Sequence, residues 1–172
     1  ASVFRALAEA IAGSELTSGR VRVTFADGSI ARLWPGGREG STLLSILVGE
    51  RRPIPVNFKV TISPHCINTT SPLAGIKSCN YLEPSLSLEE AKDRGFDEAI
   101  RLNERGEIAS ACMANVFWLK DNKLFTPNLR TGCLAGTTRE YLLENLVCEE
   151  VETGIDAVRE VDEIFLTSAG LG

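Results

Sequence analysis

Residues 96–127 carry two hairpin signals in succession, and they constrain the fold more than any other stretch of the chain. "FDEAIRLNERGEIASA" reads as a strand, a polar turn at Glu104–Gly106 and a second strand. "NVFWLKDNKLFTP" repeats the pattern, turning at Asp121-Asn122. Hairpins force antiparallel neighbours, so the sheet cannot be wholly parallel. Helical segments flank them. In "SLSLEEAKDRG", Ser87 and Glu90 have capping-box spacing and Gly95 stands where a helix ends. A start near Leu82 still accommodates Pro84, because proline is tolerated in a first turn. "AGTTREYLLENL" opens with a glycine and two threonines and continues as a helix, and "VDEIFLTSAGLG" is a late strand ending in small residues. The class expected is α/β of the mixed α+β kind.

Upstream, the spacing predicts an amphipathic helix at the start and a hairpin in "GRVRVTFADGSIARLW" turning at Asp27-Gly28. "STLLSILVG" is a continuous apolar run that predicts a buried strand. "IPVNFKVTI" predicts a strand with Ile54, Val56, Phe58, Val60 and Ile62 on one face and Lys59 toward water. Residues 35–40, rich in glycine with one proline, are the expected linker between residues 1–34 and a larger domain over 41–172.

Charge and cysteine usage narrow the chemistry. A net charge of −5 argues against nucleic acid as the main partner, because phosphate backbones need a basic face. No apolar run is long enough to cross a bilayer, so no membrane partner is expected. The five cysteines are scattered without a C-x-x-C pair, which disfavours a zinc site or redox dithiol. Reduced thiols in a cytoplasmic protein account for them most simply. The single histidine, His65, lies in a turn-rich loop and suits a solvated role better than catalysis.

Lys77 is one of only five lysines, and "LAGIKSC" surrounds it with apolar and small residues. Its place admits two roles. Apolar surroundings disfavour an ammonium and leave an amine able to attack a carbonyl; alternatively the stem packs while the charged head reaches water. In "LAGTTRE", Gly136, Thr137 and Thr138 lead into a helix N-terminus, where free N–H groups and the dipole favour an anion. An ordinary helix start is the plainer alternative. Thr167 and Ser168, at a strand end, are a weaker second anion contact. An aldehyde cofactor carrying a phosphate needs an amine and an anion cradle together.

The order of "SPLAGIKSCNYLE", "GFDEAIRLNERGEIASACMANVFWLKDNKLFTP", "TGCLAGTTREYLLE" and "VDEIFLTSAG" resembles the class IV aminotransferase family, the fold-type IV pyridoxal-phosphate enzymes. The resemblance covers about residues 70–172 and implies the pseudo-barrel cofactor domain of that fold, pyridoxal 5'-phosphate as cofactor and a homodimer. By resemblance, Lys77 is the lysine that forms the Schiff base and moves the proton. Gly136, Thr137 and Thr138 hold the cofactor phosphate, with Thr167 and Ser168 as the strand-end contact, while Asn115 braces the loop. The Lys-x-x-Asn spacing in "KSCN" is more like the lyase and D-amino-acid branches than the branched-chain one.

Two departures stand out. The family's glutamate, four residues after the glycine of its G-x-x-x-E motif, pairs with the pyridine nitrogen. Ser110 occupies that place here and can only hydrogen-bond; Glu107 comes too early on the strand. The family's small N-terminal domain is also expected to be represented only by a remnant, residues 1–34. The expected function is a class IV aminotransferase acting on amino acids through Lys77. The alternatives are an aminodeoxychorismate lyase-like enzyme, or a non-catalytic homologue that keeps the fold.

Overall fold

The computed structural model describes residues 2–27, 42–51 and 53–168. The chain divides into two compact units, Ala1–Pro53 and Ile54–Gly172. In the first, helix α1 (Val3–Gly13) opens on Ser2, whose Oγ accepts from the Arg5 N–H and caps the helix. Strand β1 (Arg20–Asp27) pairs antiparallel with β2 (Thr42–Gly49), from Arg20 opposite Gly49 to Asp27 opposite Thr42. Thr42–Gly49 thus pairs within the first unit. Against expectation the strand is not buried: Leu43 and Leu47 are each about 60% exposed, since a two-stranded ribbon covers only one edge of each strand. The expected return strand after Asp27 and the 35–40 linker lie outside the described residues.

The second unit holds two sheets. In the first, β3 (Val60–Ile62) lies parallel to β4 (Glu98–Leu102), which pairs antiparallel with β5 (Ile108–Ala111). Helix α2 (Leu82–Asp93) makes the crossover that the parallel pair requires. The second sheet runs, in order of pairing, β8 (Cys148–Val151), β7 (Lys123–Pro127), β6 (Asn115–Lys120) and β9 (Glu163–Thr167). Its strands β6 and β7 form the expected hairpin, with Asp121 and Asn122 both at positive φ (51° and 59°). Helix α3 (Thr137–Asn145) carries the chain from β7 to its parallel neighbour β8. Strand β9 pairs antiparallel with β6.

Ile100, Ile108, Ala111, Val116, Trp118 and Val158 form the main core, and Trp118 stacks on Phe125 with ring centroids 6.1 Å apart. On the other side of β4 and β5, Leu88 and Ala91 of α2 pack on Ala99 and Cys112. Mixed α/β architecture with antiparallel hairpins is therefore what the chain adopts.

Two local expectations fail for identifiable reasons. The strand expected over Ile54–Ile62 forms only at Val60–Ile62; Ile54 and Val56 are exposed, and Pro55 has no N–H for a ladder. Ser87 does not cap α2. The helix starts five residues earlier with Pro84 in its first turn, and the buried Ser87 hydroxyl donates to the Glu83 carbonyl instead.

Candidate active site

Thr167 ends β9 directly opposite Asn115 at the start of β6. Its hydroxyl oxygen is buried and has no hydrogen-bond partner among the described residues. A buried hydroxyl left unmatched is costly and marks a place where a polar group belongs. Asn115 is buried beside it and donates from Nδ2 to the Leu134 carbonyl at 2.7 Å. That bond holds the loop that leads to Gly136, the N-cap of α3. The glycine is required by space, not by φ, which is −75°. A Cβ at Gly136 would run into Asn115 Oδ1, whose side chain cannot yield without losing Leu134. The backbone therefore lies directly against Asn115.

Helix α3 has no side-chain cap, and the N–H groups of Thr137, Thr138 and Arg139 precede the first helical bond, from the Glu140 N–H to the Gly136 carbonyl, and so have no intrahelical partner. Behind them the buried Arg139 donates from Nη2 to the Pro127 carbonyl at 2.9 Å and pairs with Glu150, fixing α3 to β7 and β8. Thr138, Thr167 and Ser168 share an open cavity of about 800 Å³, within the range of small-ligand sites, with Val158, Val161 and Leu166 among its walls. Bare helix N–H groups, an unmatched hydroxyl and a glycine cradle on one corner suit an anion with several acceptor oxygens. The structure thus brings Thr138, Thr167 and Ser168 together, with Gly136 and Thr137 one step behind them. Lys77 and Ser110 do not line that cavity.

The segment carrying Lys77 is laid down by a different set of contacts. Ile67 bridges Asn103, and the Thr69 N–H and hydroxyl both donate to the Glu104 carboxylate. Those bonds, the hydroxyl's first, hold the Glu104 carboxyl down to about 2. Gly75 then takes φ +70°, where a side chain would be strained. Its Cα passes close to Cys133: a Cβ there would sit 3.3 Å from the Cys133 carbonyl oxygen. Gly132, at φ +87°, faces Ile67 and Ala74 in the same way. The lysine loop thus rests on the chain just before the Leu134 that Asn115 holds.

Lys77 itself is exposed; of the two roles its neighbours admit, this matches the charged head reaching water and not apolar burial. Its Nζ donates to Tyr81 Oη at 2.7 Å and lies 5.1 Å from that ring's centroid. Tyr81, the residue before α2, is missed by the sequence reading; its signal is the four-residue spacing from the lysine across a helix start.

Ser110 sits in β5, half-buried and opposite Arg101. Glu107 is engaged elsewhere. Arg105, then Asn103, donate to it and hold its carboxyl below the usual range. Cys112 and Cys133 are core groups, since burial foremost, with Glu98, pushes Cys112 up to about 12 and burial raises Cys133. Among the described residues no cluster of three histidine, cysteine or acidic side chains could hold a metal, and no helix is long and apolar enough to cross a membrane.

Comparison with known proteins bears on this geometry. The model of the amino-transferase class IV family matches residues 2–172. Aminodeoxychorismate lyase from Bacillus subtilis is 34% identical over 109 residues, which are 60% of this chain and 37% of that protein. The Escherichia coli branched-chain amino acid aminotransferase superposes with a TM-score of 0.83 at 23% identity, covering 98% of this chain and 60% of that one. The branched-chain aminotransferase from the thermophilic archaeon Thermoproteus uzoniensis, solved with norvaline, gives 0.82 at 21% identity over 97% of this chain and 59% of that one. The chain spans between about a third and two thirds of the lengths of these proteins.

Proposed function

The chain belongs to the amino-transferase class IV family, and on that premise we propose that it is a pyridoxal-phosphate-dependent aminotransferase acting on amino acids through Lys77. The observation that carries this is the corner where the buried, unmatched Thr167 hydroxyl and the uncapped N-terminus of α3 meet. These groups fit a phosphate. Gly136, Thr137, Thr138, Thr167 and Ser168 would hold that end of the cofactor, Lys77 its aldehyde and Ser110 its ring nitrogen. When bound, pyridoxal phosphate supplies the electron sink for charge that develops at an amino acid's Cα.

The chain's own residues supply the rest. The backbone N–H groups of the α3 N-terminus and the Thr167 hydroxyl would donate to the phosphate and orient the cofactor, with the helix dipole adding to the attraction. Asn115 keeps the α3 N-terminus against β9 through Leu134. Lys77 Nζ is the atom that takes a proton from, and returns one to, the substrate carbon. Tyr81 Oη accepts a hydrogen bond from Nζ, holding the amine at one place before it acts. Ser110 Oγ would donate a hydrogen bond to the ring nitrogen but carries no charge to hold a positive ring, so proton removal at Cα would be slower than in family members with a glutamate at that place.

A lyase reading is favoured by one specific feature, the Lys-x-x-Asn spacing of Lys77 and Asn80, and by the similarity to aminodeoxychorismate lyase. Both functions use the same anion corner and the same lysine; they part after the proton leaves Cα. As expected for the family, the protein is proposed to act as a homodimer in the cytoplasm.

The test is an absorbance titration of the protein with pyridoxal phosphate, wild type against Lys77→Ala, followed by addition of amino acids. The expected result is a long-wavelength band that borohydride bleaches, absent in Lys77→Ala, with a keto acid formed when a suitable amino donor is added. The same band in Lys77→Ala, or none in either protein, would overturn the proposal. Substrate cleavage without amino transfer would select the lyase.

A further inference from the structure

Beside Ser110 lies a charge that the aminotransferase chemistry above does not use. Arg101 is only 4% exposed, and the pairing of β4 with β5 sets it directly opposite Ser110. Directly opposed residues of an antiparallel pair project from the same face of the sheet with their Cβ atoms about 5 Å apart. That face is the one toward α2: Arg101 Nη2 reaches Glu83 in the helix's first turn at 3.2 Å, and the neighbouring pair Ala99 and Cys112 packs on α2. Opposite faces are not an option here, because Ile100 and Ala111, the next opposed pair along the ladder, both enter the main core.

The guanidinium is poorly compensated. Its one carboxylate partner, Glu83, is 74% exposed and shares its charge with water, and Arg101 Nε donates to nothing among the described residues. The one buried carboxylate close by, Glu98, is spent on the Ala99 and Cys112 N–H groups, so the guanidinium with its unmatched donor keeps a positive field on the neighbours that share its face.

We propose that Arg101 is a positioning residue that works through Ser110, keeping any heteroaromatic nitrogen seated on the serine unprotonated. This rests on the cofactor assignment made above. The Ser110 hydroxyl can serve as donor or acceptor. The field of Arg101 penalises the arrangement in which the ring nitrogen carries a proton and a second positive charge stands beside the first. It favours the one in which Ser110 donates to a neutral nitrogen. Two residues on two strands thus set one property of the site, a weaker electron sink. A serine-to-glutamate exchange at position 110 would meet the guanidinium before it met the ring.

The experiment is nitrogen NMR of the protein loaded with ring-15N pyridoxal phosphate at one fixed pH, in the wild type, Ser110→Glu, Ser110→Glu/Arg101→Gln and Ser110→Glu/Arg101→Lys. The ring nitrogen's resonance reports its protonation directly and needs no turnover. The wild type and Ser110→Glu should both show the unprotonated resonance, because the new carboxylate is taken up by Arg101. Ser110→Glu/Arg101→Gln should shift to the protonated position, and the lysine version, which keeps the cation, should not. A fully protonated nitrogen in Ser110→Glu with Arg101 intact would overturn the inference while leaving the cofactor assignment standing. Failure of the wild type to take up the cofactor would instead overturn that assignment and this inference with it. Ser110→Glu retains Arg101 and its Glu83 contact, so the deciding comparison does not depend on whether the arginine variants fold.

Discussion

The two ends of the proposed site are built by opposite means. At the phosphate end, Thr167, Asn115, Gly136 and Arg139 are locked by buried contacts between β9, β6 and α3. At the lysine end, Lys77 is exposed and its amine rests on Tyr81, four residues away. The supporting loop is tied by the surface bonds of Thr69 to Glu104 and by two glycines at positive φ. In the proposed site, anion affinity would thus belong to the folded core, whereas the amine would be presented by an exposed loop. A site that must grip one end of a cofactor and exchange partners at the other needs this division.

The largest effect is expected at Arg139, on the buried side of the contrast. Arg139→Met removes the buried member of a charge pair, and a loss of about 3 kcal/mol is expected, the lower end for buried pairs because Glu150 reaches solvent. Denaturant unfolding measures it; a loss within about 1 kcal/mol, as for surface pairs, would mean that α3 is not anchored this way. Gly136→Ala comes next. Overpacking against Asn115 is expected to cost about 1–3 kcal/mol and to weaken pyridoxal phosphate binding together with stability.

Thr167→Val separates grip from packing, because its two readouts should part. Removing an unmatched buried hydroxyl leaves the stability of the protein unchanged or raised. Binding of pyridoxal phosphate should weaken about tenfold or more, as expected for one lost hydrogen bond to a charged group. Parallel losses would identify Thr167 as a packing residue only.

The smallest effect belongs to the lysine loop. Glu104 titrates near 2 in the folded protein against an ordinary value of 4.5. A depressed carboxyl stabilises the fold in full above its ordinary value, and that contribution is lost as pH falls from about 4.5 toward 2. Thr69→Val removes the first cause of the depression, so its stability should lose this part of the acid limb while matching the wild type's slope above it. An unchanged acid limb would show that the bond does not hold the loop.

Much of this architecture was legible where the deciding chemistry is local. The Asp121-Asn122 turn, the Gly95 stop and the α3 start each depend on a few adjacent residues, and each forms as the sequence implied. Elements whose fate depends on distant partners were not legible. Thr42–Gly49 reads as core by its apolar run but lies in a two-stranded ribbon, and Ile54–Phe58 finds no ladder at all. Within the proposed site, the α3 start and the Thr167 strand end were each legible as anion contacts from local chemistry, but because Thr138 and Thr167 lie far apart in the chain only motif order could tie them to one site. Arg101 escaped notice for a sharper reason. Its opposition to Ser110 is fixed by the strand register, which shifts between Arg101 and Leu102, and no spacing in the sequence reveals a bulge.

If the division holds, the phosphate end binds by itself and the lysine end adds only the covalent hold. Calorimetric titration of Lys77→Ala with pyridoxal phosphate and, separately, with pyridoxal decides it. The expected result is that the phosphate form still binds and is displaced by inorganic phosphate, while pyridoxal shows no binding. Equal binding of both, or binding of neither, would contradict it.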